Sequence, residues 1–110
     1  MSYPIALNHT GALPQKFPFD LPISGDVTIA FSGTCWSKLP GAICGVTVYL
    51  DGKKLGDVPL LFNNASVHQT LPAYFFPVNL DFGPHTIQVS ALTDNTVCDQ
   101  NDFFSLWILT

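Results

Sequence analysis

The chain contains no Arg and no Glu; its charge rests on four Lys and eight Asp, for a net −4. Without guanidinium forks or a cluster of Lys it has no means of gripping phosphate, which excludes nucleic acid as a partner and makes an anionic membrane surface a poor one. Charged residues are 11% of the sequence, against roughly 25% in ordinary soluble domains. Ser, Thr, Asn, Gln, backbone or another subunit must therefore cover much of the surface. No apolar run approaches the ~18 residues of a membrane span, so membrane insertion is not expected. No basic-then-apolar leader opens the chain, which predicts a protein either cytoplasmic or exported without a leader. The glycosylation patterns at Asn8-His9-Thr10 and Asn64-Ala65-Ser66 then read as chance.

Catalytic motifs are also missing. There is no G-x-S-x-G, no H-E-x-x-H and no glycine loop to cradle phosphate. The three histidines are His9, His68 and His85. His9 sits among prolines, His68 shares strand parity with Ser66 and Thr70 and reads as a surface residue, and His85 shares parity with Ile87 and Val89 and reads as an imidazole that fixes a turn. No enzyme is predicted. Cys35, Cys44 and Cys98 lack the C-x₂₋₄-C spacing of zinc sites. Cys35 and Cys44 flank a Pro-Gly turn and have the placement for a disulfide, but an odd count without a leader favours buried, reduced thiols.

What the chain does have is alternation. Hydrophobic residues make up 47% of 110 residues, enough for one domain with its own core. Val27, Ile29 and Phe31 alternate with Thr28, Ala30 and Ser32; Cys44, Val46, Val48 and Leu50 alternate with Gly45, Thr47 and Tyr49. Asp51-Gly52 supplies the positive φ angles of a hairpin turn, predicting a return strand over about Lys54 to Phe62. A further strand begins near Ser66, others run through Val78 to Phe82 and Thr86 to Leu92, and no window carries helical spacing with caps. The expected fold is all-β, a single-domain antiparallel β-sandwich of immunoglobulin-like or jelly-roll topology with minimal helix. Residues 1–22, with four prolines, form an extended arm or edge strand of the same domain, and 23–110 form the sandwich. Ser32 to Ala42 is read as a connection that carries Trp36.

Near the C-terminus an acidic loop, Asp94 to Asp102, holds three of the eight acids and no base. Its Asp99-Gln100-Asn101-Asp102 run gathers oxygen ligands of the kind calcium takes. An Asx-rich turn, in which these side chains cap their own backbone, is the competing reading. The D-x-N-D pattern just before the last strand, Phe103 to Leu109, resembles that of the small calcium-dependent fucose- and mannose-binding bacterial lectins, β-sandwiches of similar length. The resemblance implies that Asp99, Asn101 and Asp102 hold metal and that the metal meets sugar hydroxyls. This chain lacks the Glu and the acid count for two ions, so a single calcium ion or none is expected.

Sugar binding also works without metal, through an aromatic face against the C–H side of a pyranose and polar groups at its rim. Trp36 and Tyr74 are the candidate platforms, with Asp94 and Asn95 as polar partners beside the acidic run. In the last strand Phe104, Leu106 and Ile108 take one face and Phe103, Trp107 and Leu109 the other. A two-layer sandwich leaves that second face in need of cover, by the arm with Phe17 and Phe19 or by another subunit; homo-oligomerisation through Phe103, Trp107 and Leu109 is expected. Together these features predict a non-enzymatic carbohydrate-binding lectin, multivalent through homo-oligomerisation, with glycans as partners. The alternative is a structural or interaction module, such as a phage tail-fibre or assembly head-type β domain.

Overall fold

A computed structural model describes residues 5–110; Met1 to Pro4, the start of the arm, lie outside the described residues. Ten strands run in chain order: β1 (Ile5–Thr10), β2 (Gln15–Leu21), β3 (Gly25–Ser37), β4 (Ala42–Leu50), β5 (Lys53–Phe62), β6 (Gln69–Thr70), β7 (Tyr74–Leu80), β8 (Gly83–Ala91), β9 (Thr96–Val97) and β10 (Phe103–Leu109). They make two antiparallel sheets, β1-β10-β3-β7 with β6 and β9 also on β3, and β2-β8-β4-β5. This is the strand order of a jelly roll, in which first and last strands pair beside the third. The fold class expected from alternation is the observed one, and the topology it left open is decided by pairings distant in sequence.

Between the sheets lies one core. Phe17, Phe31, Phe62, Phe104, Leu106 and Ile108 are fully buried, with Ile29, Ile87, Val46 and Val48 among them. The described part of the arm does not cover the outer face of β10. β1 pairs with β10 edge to edge, while β2 pairs with β8 in the other sheet and sends Phe17 and Phe19 into the core. One edge strand of each sheet thus comes from the Pro-rich segment, where missing N–H groups cost least.

β3 organises the first sheet and is longer than its alternation suggested. The segment read as a connection through Trp36 is strand as far as Ser37. Each neighbour of β3 breaks part-way along it. On one side Gly33 pairs with Phe104 and Trp36 with Val97, so six residues separate the partners where two separate Gly33 from Trp36. The surplus is looped out as the turn Asp99–Asp102. On the other side Phe31 pairs with Tyr74 and Thr34 with Thr70, and Leu71 to Ala73 form a smaller break. The end of β3 beyond Gly33 is therefore flanked by two irregular segments, and polar side chains collect there.

At the opposite end the Asp51-Gly52 turn is clamped by His85. Its Nδ1 lies 2.6 Å from Asp51 Oδ2 and its Nε2 2.7 Å from the Asp81 carbonyl, while the Thr86 amide donates to Asp51 Oδ1 at 2.9 Å. The turn-fixing imidazole read from parity is thus stacked on Phe19 as well, with ring centroids 5.6 Å apart. With an acceptor at each nitrogen, the bond to Asp51 first and that to Asp81 second, the His85 pKa is raised from its ordinary 6.5. Burial pushes the Asp51 carboxyl up, but the bonds from His85 and Thr86 and the imidazolium charge outweigh it and leave it below its ordinary 3.8. The histidine's contribution to stability is complete below pH 6.5 and is lost as pH rises through the raised value. That of Asp51 is complete above pH 3.8 and is lost as pH falls through the depressed one. Thermal unfolding followed across pH should therefore peak between these limits, and His85→Gln should flatten the alkaline limb. An unchanged alkaline limb would remove the clamp from the account.

Candidate functional site at the end of β3

Alternation along β3 turns Thr34 and Trp36 to the outer face while Cys35 faces the core. Thr34 Oγ1 donates to Asp102 Oδ1 at 2.8 Å and accepts the Phe103 amide at 3.2 Å. Asp102 is wholly buried. Its Oδ1 also meets His68 Nδ1 at 2.7 Å, and its Oδ2 accepts the Asp99 amide at 2.9 Å. A carboxylate can only accept here, so Nδ1 carries the proton and Nε2 is the nitrogen left to solvent. The Asp102 amide closes the turn on the Asp99 carbonyl at 2.9 Å, and the Asn101 amide donates to Asp99 Oδ1 at 2.8 Å. Asp102 thus welds β3, the loop before β6 and the acidic turn into one unit.

Upon that unit stand three partly exposed groups. The Trp36 indole donates Nε1–H to Asp99 Oδ2 at 3.2 Å, and its ring centroid lies 6.2 Å from that of His68. His68 Nε2 is 4.0 Å from the same Asp99 oxygen, each side chain 38% exposed. The hydrogen bond to Asp102 raises the His68 pKa from 6.5; partial burial opposes this, and the Asp102 and Asp99 charges add to it. The site therefore offers an indole face, a carboxylate oxygen and an imidazole nitrogen that donates when the ring is protonated and accepts when that proton is lost.

The structure brings Trp36, Asp99 and Asp102 together and disperses the other candidates. Asn101 reaches the turn through its backbone, and its residue is exposed. Asp94 and Asn95 lie beyond β9, where the Asn95 carbonyl accepts the Lys38 amide at 2.9 Å. Tyr74 pairs with Phe31, five residues and so about 16 Å down β3 from Trp36, and its ring packs on Phe76 towards the core. His68 and Thr34 were not among the residues singled out as site members. The expected strand from Ser66 begins only at Gln69, with Ser66 in a turn and His68 in the loop that follows it; nothing local says that this loop lies against β3.

As metal ligands, His68, Asp99 and Asp102 have donor atoms within 4.8 Å of one another. The set suits calcium poorly. Calcium takes six to eight oxygens, whereas both Asp102 oxygens are occupied by internal donors and the nearest additional donor is a nitrogen. Asp99 Oδ1 caps the Asn101 amide as an Asx turn does, which gives this acid a structural role of its own. A hollow of about 640 Å³ lies at the other end of the same sheet face against Asp26, Thr28, Pro77 and Leu109. It is wide and open, and its Asp26 carboxylate accepts a hydrogen bond from Asn79 at 3.0 Å.

Below the site the outer face of the sheet is apolar. Trp107 faces Ala30, and Ala30 faces Phe75. Phe75, Phe103, Trp107 and Leu109 are all exposed, and the Trp107 indole is pinned through Ser105 Oγ to Asn8 at 3.1 and 2.7 Å.

No family model matches the chain, and no curated protein matches it in sequence. Solved structures do match in fold. A family 35 carbohydrate-binding module from Clostridium thermocellum superposes with a TM-score of 0.54 at 12% identity, over 96% of this chain and 98% of that one. The family 35 module of Cellvibrio japonicus Abf62 gives 0.53 at 18% identity, over 87% of this chain and 66% of its own. Dimeric latent PorU of Porphyromonas gingivalis gives 0.62 at 10% identity, over 97% of this chain, which spans only 13% of PorU. The fold is thus a β-sandwich of the carbohydrate-binding-module type.

Proposed function

We propose that this protein is a non-enzymatic carbohydrate-binding protein whose sugar lies against Trp36, with Asp99 and His68 bonding its hydroxyls and no metal between them. The observation that carries the reading is the partly exposed indole held edge-on by Asp99 beside an imidazole fixed from behind by a buried carboxylate. A pyranose needs such a platform and such a rim, and a rigid one limits the entropy lost on binding. The likeness in fold to carbohydrate-binding modules supports it. The Asp102–His68 pair also has the form of a general base and its orienting carboxylate. Among the described residues no hydroxyl or thiol is bonded to its free nitrogen, and Asp99 occupies the approach. The pair is accordingly assigned to recognition.

A glycan array run with calcium and again with chelator tests this. Binding should be equal in both. Trp36→Ala and Asp99→Ala should each weaken the selected glycan by about 2 kcal/mol, roughly 30-fold in Kd, with little change in unfolding midpoint. Chelator-sensitive binding would restore the calcium reading of Asp99, Asn101 and Asp102, and full affinity in both variants would move the site elsewhere.

Homo-oligomerisation through the outer face is part of the same proposal. Phe75, Phe103, Trp107 and Leu109 present exposed apolar surface on a pleated face that a second copy can match, and repetition of a weak site raises avidity. Sedimentation should show an oligomer that Trp107→Lys converts to monomers; a monomeric parent would end this part of the proposal.

A further inference from the structure

Two cysteines that take no part in sugar recognition stand directly behind the site. Trp36 pairs with Val97 and Ser37 with Thr96 in antiparallel register, and the next step of that register sets Cys35 opposite Cys98. The Lys38 amide donates to the Asn95 carbonyl at 2.9 Å, which makes those two a hydrogen-bonded pair. Alternation then makes Cys35 and Cys98 a non-hydrogen-bonded pair, the kind whose Cα atoms stand about 4.5 Å apart with side chains leaning together. A disulfide spans Cα separations of about 4.4 to 6.8 Å. Both cysteines are buried, Cys35 at 0% exposure and Cys98 at 7%. The Cys98 thiol points to the Thr34 carbonyl, the backbone of the residue before Cys35, at 3.5 Å. Cys44, the partner weighed for Cys35 in the sequence, lies on β4 of the opposite sheet; all three thiols are free in this structure.

We propose that Cys35 and Cys98 are the site of an intrachain disulfide that staples β3 to the acidic turn. The bond joins the residues immediately before Trp36 and Asp99, so it fixes the spacing of the indole and its carboxylate; that consequence rests on the carbohydrate reading, whereas the bond itself does not. A small-molecule disulfide such as oxidised glutathione is the oxidant. One cysteine thiolate attacks a glutathione sulfur and expels a glutathione thiolate, and the second cysteine thiolate attacks the mixed disulfide and expels the other. The pair gives up two electrons and two protons, which leave as two glutathione thiols. Both thiols are buried and closed to a bulky oxidant once the sheets have packed. Exchange therefore runs while the chain folds, and the folded reduced protein oxidises slowly.

The test refolds the purified chain from denaturant and reductant, once in a glutathione redox mixture and once in reductant alone, then alkylates free thiols in denaturant and maps the peptides. The expected result in glutathione is a Cys35–Cys98 linked peptide with Cys44 alkylated. Three alkylated cysteines, or a link to Cys44, would overturn the proposal. The oxidised form should unfold about 10 °C higher than the reduced one. Exchange of the Trp36 indole N–H, read by NMR against that of Trp107, should be about tenfold slower in the oxidised form; equal rates would refute the staple's hold on the site. Every one of these readings is made on the native sequence without sugar. Failure of the carbohydrate reading would instead appear as absence of glycan binding in both redox forms.

Discussion

Asp102→Ala is expected to destabilise the protein by about 2–4 kcal/mol, because it leaves the Thr34 hydroxyl and the Asp99 amide without the acceptor that both face in or near the interior. His68 is exposed enough to turn to water, so its lost partner adds little to this sum. Glycan binding should fall with stability, since Asp99, His68 and the chain leading to Trp36 are all positioned through this one carboxylate. Asp102→Asn keeps an acceptor for Thr34 but sets an amide N–H against another donor, and should lie between Ala and the parent. Urea unfolding of the three proteins, alongside Asp99→Ala, measures the ordering. Asp99→Ala should lose affinity while keeping its midpoint, and Asp102→Ala should lose both. Equal, purely functional losses in the two variants would mean that both acids serve the ligand, as the calcium-lectin resemblance implied.

Gly45→Ala is expected to have the larger effect on folding. Gly45 sits in β4 at a φ of +146°, and a Cβ there would stand 1.9 Å from the Val58 carbonyl oxygen, part of the backbone of the paired strand β5. Neither strand can yield cheaply. The Gly45 amide donates to Thr96 Oγ1 at 3.1 Å, and its carbonyl accepts the Leu92 amide at 2.9 Å, so the residue is fixed on both sides and buried. A cost of about 4 kcal/mol or more would consume much of the roughly 5–15 kcal/mol that holds a domain of this size. Gly83→Ala is the control: its φ is +116°, but an added Cβ meets nothing within 4 Å. It should cost only about 1–2 kcal/mol from the backbone conformation. Soluble yield and thermal midpoint of the two variants test this, and a folded, stable Gly45→Ala would show that β5 can shift away from β4.

The candidate site was only half legible. Trp36, Asp99 and Asp102 stood out because indoles and acidic clusters are conspicuous anywhere, yet their roles were not. Asp102 looked like a ligand and is a buried anchor, since only its depth behind Thr34 separates it from Asp99 three residues away. Tyr74 looked like a second platform and faces the core, because the strand it belongs to pairs with β3 in a register that its own flanking prolines do not reveal. His68 is exposed as expected, but in a loop and not in the strand read from its parity, and its neighbour was out of reach: the carboxylate that orients it is 34 residues away.

The sequence by itself determined the layers. Alternation with period two, the Asp51-Gly52 turn and the split of Phe104, Leu106 and Ile108 from Phe103, Trp107 and Leu109 are local facts, and hydrophobic burial turns such alternation into two-faced strands whatever their order. Tertiary structure alone decided that the order is a jelly roll, that β3 runs on through Trp36, and that both of its neighbours break at the same level. Those outcomes depend on which strand edges satisfy each other's backbone groups, a choice made between segments tens of residues apart. The site exists because of that choice: Thr34, Trp36, His68, Asp99 and Asp102 meet where two interrupted strands flank an uninterrupted one.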